Sequence, residues 1–339
     1  MHRVVASIAA CLALLVAACG GGDKNTDTPP DPIRNVPNEA GIRDKVKAAS
    51  IADETEFPAS SGKTLQQLAD GMAAGPQLAM ASSIFTSGDP SRMAFGMIGQ
   101  DGTPVYGPTA VYVAPTPNDP AVGPFVAPAD VLLTDKRYRS KQAANTEDPF
   151  VAVYSANVEF PKKGPYAVLA TTKLSNGKLT GATGQVQVST EKADPIPRVG
   201  DQAPKVHTDT VESAKGDIAS IDTRDPADDM HGVDFADVVG KKPVALLFST
   251  PQLCQSQVCG PVTDIELQMK SKFGDKMTFI HQEVYVDNDM SKGLRPPLKA
   301  FNLPSEPWLF VVDKTGKITA RLEGSIGVQQ FEDAVKSGL

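Results

Sequence analysis

The sequence predicts a two-part fold, an all-β sandwich followed by an α/β unit, and three observations predict it. Short apolar runs broken by turn residues fill the stretch from about Gln77 to Val188. Lys192-Ala-Asp-Pro-Ile-Pro197 then punctuates the chain with prolines and charges. Beyond it, strand-type apolar runs alternate with helical patterns, the order of an α/β unit. A length of 339 residues allows about two such domains.

Met1-His-Arg3 is a short basic start, Val4 to Val16 is apolar but too short to span a bilayer, and Val16-Ala-Ala-Cys19 follows. This pattern reads as a secretory signal over residues 1–18. The small residues before Cys19 resemble the lipobox of bacterial lipoproteins. That resemblance implies lipid on Cys19, attachment to the cell membrane through that lipid, and an extracytoplasmic location. Residues 19–55 carry few large apolar side chains and are expected to form a flexible tether.

Within 56–192 the expected strands are Gln77–Phe85, Arg92–Ile98, Ala110–Val113, Phe150–Phe160, Tyr166–Leu174 and Gly184–Val188. Asn176-Gly177 is a strong hairpin signal between two of them. About seven short strands in some 110 residues predict an antiparallel sandwich of immunoglobulin-like type. The Pro- and Ala-rich insert from Ala114 to Asp148 has no Cys or His to support a metal or nucleophilic site. Tyr106, Tyr112, Tyr138 and Tyr154 are expected to fill core rather than line a ligand surface. The sandwich reads as a spacer or interaction module.

The α/β unit spans 193–339. Its order is a strand at Val244–Phe248, a helix at Pro261–Phe273, a strand at Met277–Val286, a helix at Ser291–Phe301, strands at Trp308–Val312 and Ile318–Leu322, and a helix at Val328–Ser337. Cys254 and Cys259 lie between the first strand and the first helix. Of the four cysteines, Cys11 leaves with the signal and Cys19 takes lipid, so these two remain, in an oxidising compartment. In a regular helix, residues five apart lie about 140° apart with a rise of about 7.5 Å, too far for a disulfide. Pro261 is expected in the first helical position, which leaves 254–259 as a loop able to close.

Val199-Gly-Asp-Gln-Ala-Pro204, the cysteine pair and Leu303-Pro-Ser-Glu-Pro307-Trp308 together resemble redoxin domains of the alkyl-hydroperoxide-reductase and thioredoxin superfamily. The resemblance covers about 140 residues. It implies a thioredoxin-like fold, a cis-proline at Pro307, and partner binding around Glu306, Pro307 and Trp308. It also implies thiol chemistry, with Cys254 attacking and Cys259 resolving, and partners that are thiols or disulfides of envelope proteins. No cofactor and no metal are expected for that reaction.

Alternatives remain open. Q-type peroxiredoxins share the Cys-x4-Cys-Gly spacing, but they place a Thr three residues before the cysteine, where this chain has Pro251. Sco-type copper proteins use two cysteines and a distant His, a place that His281, His207 or His231 can fill. A static disulfide in a binding module is the fourth possibility. Basic residues number 33 against 40 acidic, a net charge of −7 with no basic run, which excludes nucleic acid as a partner.

Overall fold

The structure is a computed structural model that describes residues 41–143 and 150–339, together with Ile33, Pro37 and Glu39. The signal, Cys11, Cys19 and most of the tether lie outside the described residues. Among the described residues, no helix is long and apolar enough to cross a membrane.

Helix α1 (Ile42–Lys47) falls inside the expected tether and corrects its extent. Ile42, Val46 and Ala49 follow helical spacing and are buried in the main core. Helix α2 (Leu65–Asp70) is fixed by a capping box in which Thr64 and Gln67 satisfy each other's backbone N–H groups.

The all-β part contains β1 (Ala73–Ala74), β2 (Gln77–Met80), β3 (Phe85–Ser87), β4 (Ser91–Ile98), β5 (Thr109–Ala114), β6 (Val122–Val126), β7 (Ala129–Val131), β8 (Ala152–Val158), β9 (Gly164–Lys173) and β10 (Leu179–Thr190). One sheet runs β1-β10-β9-β5-β6 with β3 also on β10, and the other runs β2-β4-β8-β7. Phe95, Val111, Tyr154, Val168 and Ala182 bring both sheets into one core. The β9–β10 hairpin turns at Asn176-Gly177, where Gly177 takes a φ of 79° that a side chain would disfavour. Tyr112 and Tyr154 are buried as expected of core residues. Strands β6 and β7 arise within the Pro-rich insert, which the sequence reading did not assign to strands.

The C-terminal part adds α3 (Phe235–Val238), β11 (Val244–Phe248), α4 (Cys259–Phe273), β12 (Thr278–Gln282), α5 (Pro296–Ala300), β13 (Trp308–Val312), β14 (Ile318–Glu323) and α6 (Val328–Ser337). Its sheet order is β12-β11-β13-β14, with β12 parallel to β11 and both other pairings antiparallel. That order and sense are thioredoxin-like. Along β11 the side chains alternate: Ala245 and Leu247 join the core holding α4 and α6, while Val244, Leu246 and Phe248 join a second core with α3 and α5. The helix expected over 291–301 is shortened to α5, preceded by a 3-10 turn at Met290–Lys292. Pro296 and Pro297 supply no N–H to extend it backwards, and Gly293 breaks the path at φ 76°.

The described residues from Ile33 onward form one compact unit. The main core runs without interruption from the all-β part to Val262, Ile265, Leu309 and Phe331 of the C-terminal part. Polar contacts pin the junction. Asp130 at β7 accepts the N–H groups of Gln329 and Gln330 in the first turn of α6, at 3.1 and 2.8 Å. Arg92 on β4 donates to the carbonyls of Glu323 and Ser325 and to Gln330.

Candidate functional site

Strand β11 is central and buried along its whole length, so its C-terminal end is a rigid platform. The chain leaves it through Ser249 and Thr250, turns at 251–253, and reaches Cys254, whose N–H bonds the Thr250 carbonyl at 3.1 Å. Gln255, Ser256 and Gln257 form an exposed loop, with Gln257 at φ 57°. Helix α4 begins at Cys259 itself, two residues before the expected start at Pro261. The correction has a local cause. Val258 has no side chain able to cap a helix, and the Cys259 N–H finds the Cys254 sulfur instead.

The two thiols are unlike each other. Cys254 is 8% exposed and Cys259 is wholly buried, and no disulfide joins them in this structure. The hydrogen bond from the Cys259 thiol lowers Cys254 most; burial opposes it, and Ser256 and the Cys259 N–H add to it, holding Cys254 at about 6. The Ser256 hydroxyl is 3.2 Å from the Cys254 sulfur. Cys259 is pushed well up by burial first, then by its bond to Cys254. One thiol is therefore largely thiolate at neutral pH, while the other keeps its proton.

The first turn of α4 is clamped from both sides. Ser249 and Thr263 hydroxyls share a 2.7 Å bond, and Thr263 donates to the Cys259 carbonyl at 2.8 Å. Gly260 lies so close to the 138–142 segment that a Cβ would come within 2.3 Å of the Gln142 carbonyl. That segment is held further by Arg224, which reaches Asp264 on α4 at 2.9 Å and the Tyr138 carbonyl at 2.6 Å.

Opposite the cysteines, the Glu306–Pro307 peptide is cis at the entry to β13. Glu306 is half-buried and its carboxyl is raised, by burial first and then by the Cys254 thiolate and Glu283. Trp308 requires a correction. It is 1% exposed, stacks on Phe310, and donates through Nε1 to Ser305, so its side chain is core and offers no surface to a partner. Strand β13 is buried on both faces, so a side chain at its first position is core whichever way the pleat turns it.

A cleft of about 460 Å³ adjoins the site. Ser256, Val258 and Glu306 form one wall, and Ala79, Met80 and Phe150 of the all-β part form the other. Sequence reasoning missed this second wall because strand patterns do not say which sheet faces which loop.

The histidines lie elsewhere. His207 is exposed and paired with Asp234. His281 directs Nδ1 to Asp228 at 2.8 Å and Nε2 to the Ser249 carbonyl at 3.1 Å, so its ring nitrogens are engaged away from the thiols. Thr250 is buried with its hydroxyl unpartnered.

No family model and no curated protein matches this chain. Among solved structures, the chain is similar to a protein from Chlorobium tepidum described as the thiol:disulfide interchange protein DsbE, with 16% identity over 41% of this chain and 99% of that one and a TM-score of 0.30. It is also similar to a thiol:disulfide interchange protein of the thioredoxin family from Chlorobium tepidum TLS, with 18% identity over 42% and 97% and a TM-score of 0.28. A third, from Bacteroides thetaiotaomicron and described as a protein disulfide isomerase, has 16% identity over 42% and 87% and a TM-score of 0.28. These similarities are low, and the chemistry of this chain follows from its own residues.

Proposed function

We propose that the protein is a thiol-disulfide oxidoreductase anchored to the extracytoplasmic face of the membrane through lipid on Cys19. The observation that carries the redox reading is the contrast between the thiols: Cys254, at about 6, sits at the mouth of the loop, and Cys259 is protonated and buried beneath it. In the reducing direction, the Cys254 sulfur attacks one sulfur of a partner disulfide. A mixed disulfide forms, and the partner's other sulfur leaves and takes up a proton. The Cys259 sulfur then attacks Cys254, its proton passing to the second partner sulfur as that departs. The enzyme ends as the Cys254–Cys259 disulfide, two electrons poorer, and the partner ends as a dithiol. The reverse sequence oxidises a partner dithiol.

The cleft fits an extended partner segment. Ser305 and Glu306 lie on one side and Ala79 and Met80 of strand β2, at the edge of its sheet, on the other. We read the all-β part as an immunoglobulin-like module that supplies this second wall. The apolar stretch to Val16 followed by Ala-Ala-Cys19 supports the anchor, and incorporation of labelled fatty acid into wild type but not Cys19→Ser tests it.

The redox reading is tested by reduction of a model disulfide. Wild type is expected to turn over, Cys254→Ser to be inactive, and Cys259→Ser to stop at the mixed disulfide. Equal, negligible rates for wild type and Cys254→Ser remove the enzymatic claim. A reduction potential far below the glutathione range favours a static bridge instead.

A further inference from the structure

Beside the C-terminal end of β11, the irregular segment before α3 folds two aspartates and a histidine against β12. Asp222, Asp228, His231 and His281 are all buried, and one ligand atom from each can be chosen so that all lie within 4.8 Å of one another. Such a cluster is costly unless its charges are balanced.

Three of the four residues are aimed by the main chain. Asp222 accepts the N–H groups of Arg224 and Asp228, both at 2.7 Å, and Asp228 accepts that of Met230 at 2.8 Å. His281 bonds the Ser249 carbonyl through Nε2, which turns Nδ1 toward the carboxylates. A histidine that holds a metal commonly gives its other N–H to a carbonyl in this way.

His231 is the exception that identifies the site. It is 1% exposed, yet neither ring nitrogen has a hydrogen-bond partner among the described residues. Its Nε2 stands 3.5 Å from Asp228 Oδ1 and 3.6 Å from Asp222 Oδ2, too long for hydrogen bonds. Ligands about 2.0–2.1 Å from a tetrahedral ion stand about 3.3 Å from each other, close to these separations. Glu266 on α4 also has both carboxylate oxygens buried without a hydrogen-bond partner among the described residues, and it feels the charges of His281 and Asp228.

The geometry points to a buried divalent-cation site formed by Asp222, Asp228, His231 and His281, separate from the dithiol, with Glu266 beside it. Two carboxylates balance a doubly charged ion, and two imidazoles with two oxygens and no sulfur suit zinc or a neighbouring first-row ion. On loading, the Nδ1 position of His281 gives up its proton to solvent and takes the ion in its place. The ion's role is structural: it ties the 222–231 segment, which lacks regular secondary structure, to β12.

The test uses the full chain, first stripped with chelator, and reads binding of Zn(II) and Co(II). Wild type and the Cys254→Ser/Cys259→Ser double variant are each expected to bind one equivalent. Co(II) should then show ligand-field bands of a low-coordinate site without a thiolate charge-transfer band. His231→Gln, which breaks no hydrogen bond, is expected to keep its fold by circular dichroism and to weaken binding at least tenfold. Zn(II) should raise the melting temperature of wild type and not of His231→Gln. No stoichiometric binding by the double cysteine variant, or binding that survives His231→Gln unchanged, overturns the site. Because disulfide reduction is assayed separately, failure here leaves the dithiol reading intact.

Discussion

The buried Cys259 thiol donates a hydrogen bond to the sulfur of Cys254, and this bond is the largest influence on the Cys254 proton. On the proposed redox reading it favours Cys254 as the attacking sulfur, an order that spacing alone left open. A sulfur that receives hydrogen bonds holds its negative charge more readily than the sulfur that gives one.

Alkylation of the reduced protein at Cys254 should therefore rise with pH around a midpoint near 6. Ser256→Ala removes one donor, and at about 1 kcal/mol per hydrogen bond it should slow alkylation below that midpoint by about fivefold. Stability follows from the same shift. The folded value lies below the ordinary thiol value of 9.0, so the stabilisation is complete above 9.0 and is lost as pH falls through about 6. Denaturant unfolding of reduced wild type and Cys254→Ala, compared from pH 5 to 9, should diverge by up to about 4 kcal/mol at the alkaline end.

Glu306→Gln should change the second step. Burial is the main reason that Cys259 holds its proton, with Cys254 next and the Glu306 charge a smaller contributor. Removing that charge eases thiolate formation at Cys259. Release of a trapped mixed disulfide should be a few-fold faster in stopped-flow measurements, and an unchanged rate would remove Glu306 from the resolving step.

Gly260→Ala tests the contact between α4 and the 138–142 segment. With the new Cβ directed at the Gln142 carbonyl, about 1–3 kcal/mol of stability should be lost in urea unfolding. Gly232→Ala is the matched control, because its Cβ meets nothing within 4 Å, and it should be neutral or slightly stabilising.

Asp130 links the two parts and gives a pH signature. Burial raises its carboxyl to about 6 against the N–H groups of Gln330 and Gln329 and the charge of Arg92, which lower it. The folded protein then binds this proton more tightly than an unfolded chain with a value of 3.8, so the contribution is complete below 3.8 and is lost as pH rises through about 6. Relative to Asp130→Asn, wild type should lose up to about 3 kcal/mol between pH 4 and 7. At pH 4, Asp130→Ala should cost about 1–3 kcal/mol, because two N–H groups of α6 lose their acceptor, and that difference should shrink as pH rises through about 6.

The sequence was most informative where local pattern and chemistry coincide. The Val244–Phe248 run, the Asn176-Gly177 turn and Pro307 each carry their own backbone requirement, and each appears where that requirement placed it. The start of α4 was displaced because its cap is a sulfur five residues away rather than the residue next door. Helix α1 was hidden by its polar neighbours, since the only residues it buries are Ile42 and Val46. The burial of His231 among carboxylates was not legible at all, because residues 222–231 and β12 meet only through tertiary folding.

The bonds that Arg92 and Asp130 make to the last helix and the turn before it have a consequence for anyone dissecting this chain. The usual practice of cloning a C-terminal module by cutting at a proline-rich boundary would here sever Asp130 from the first turn of α6 and expose Phe331 and Leu309 to water. The excised piece would be a sticky fragment, and its inactivity would say nothing about the intact protein.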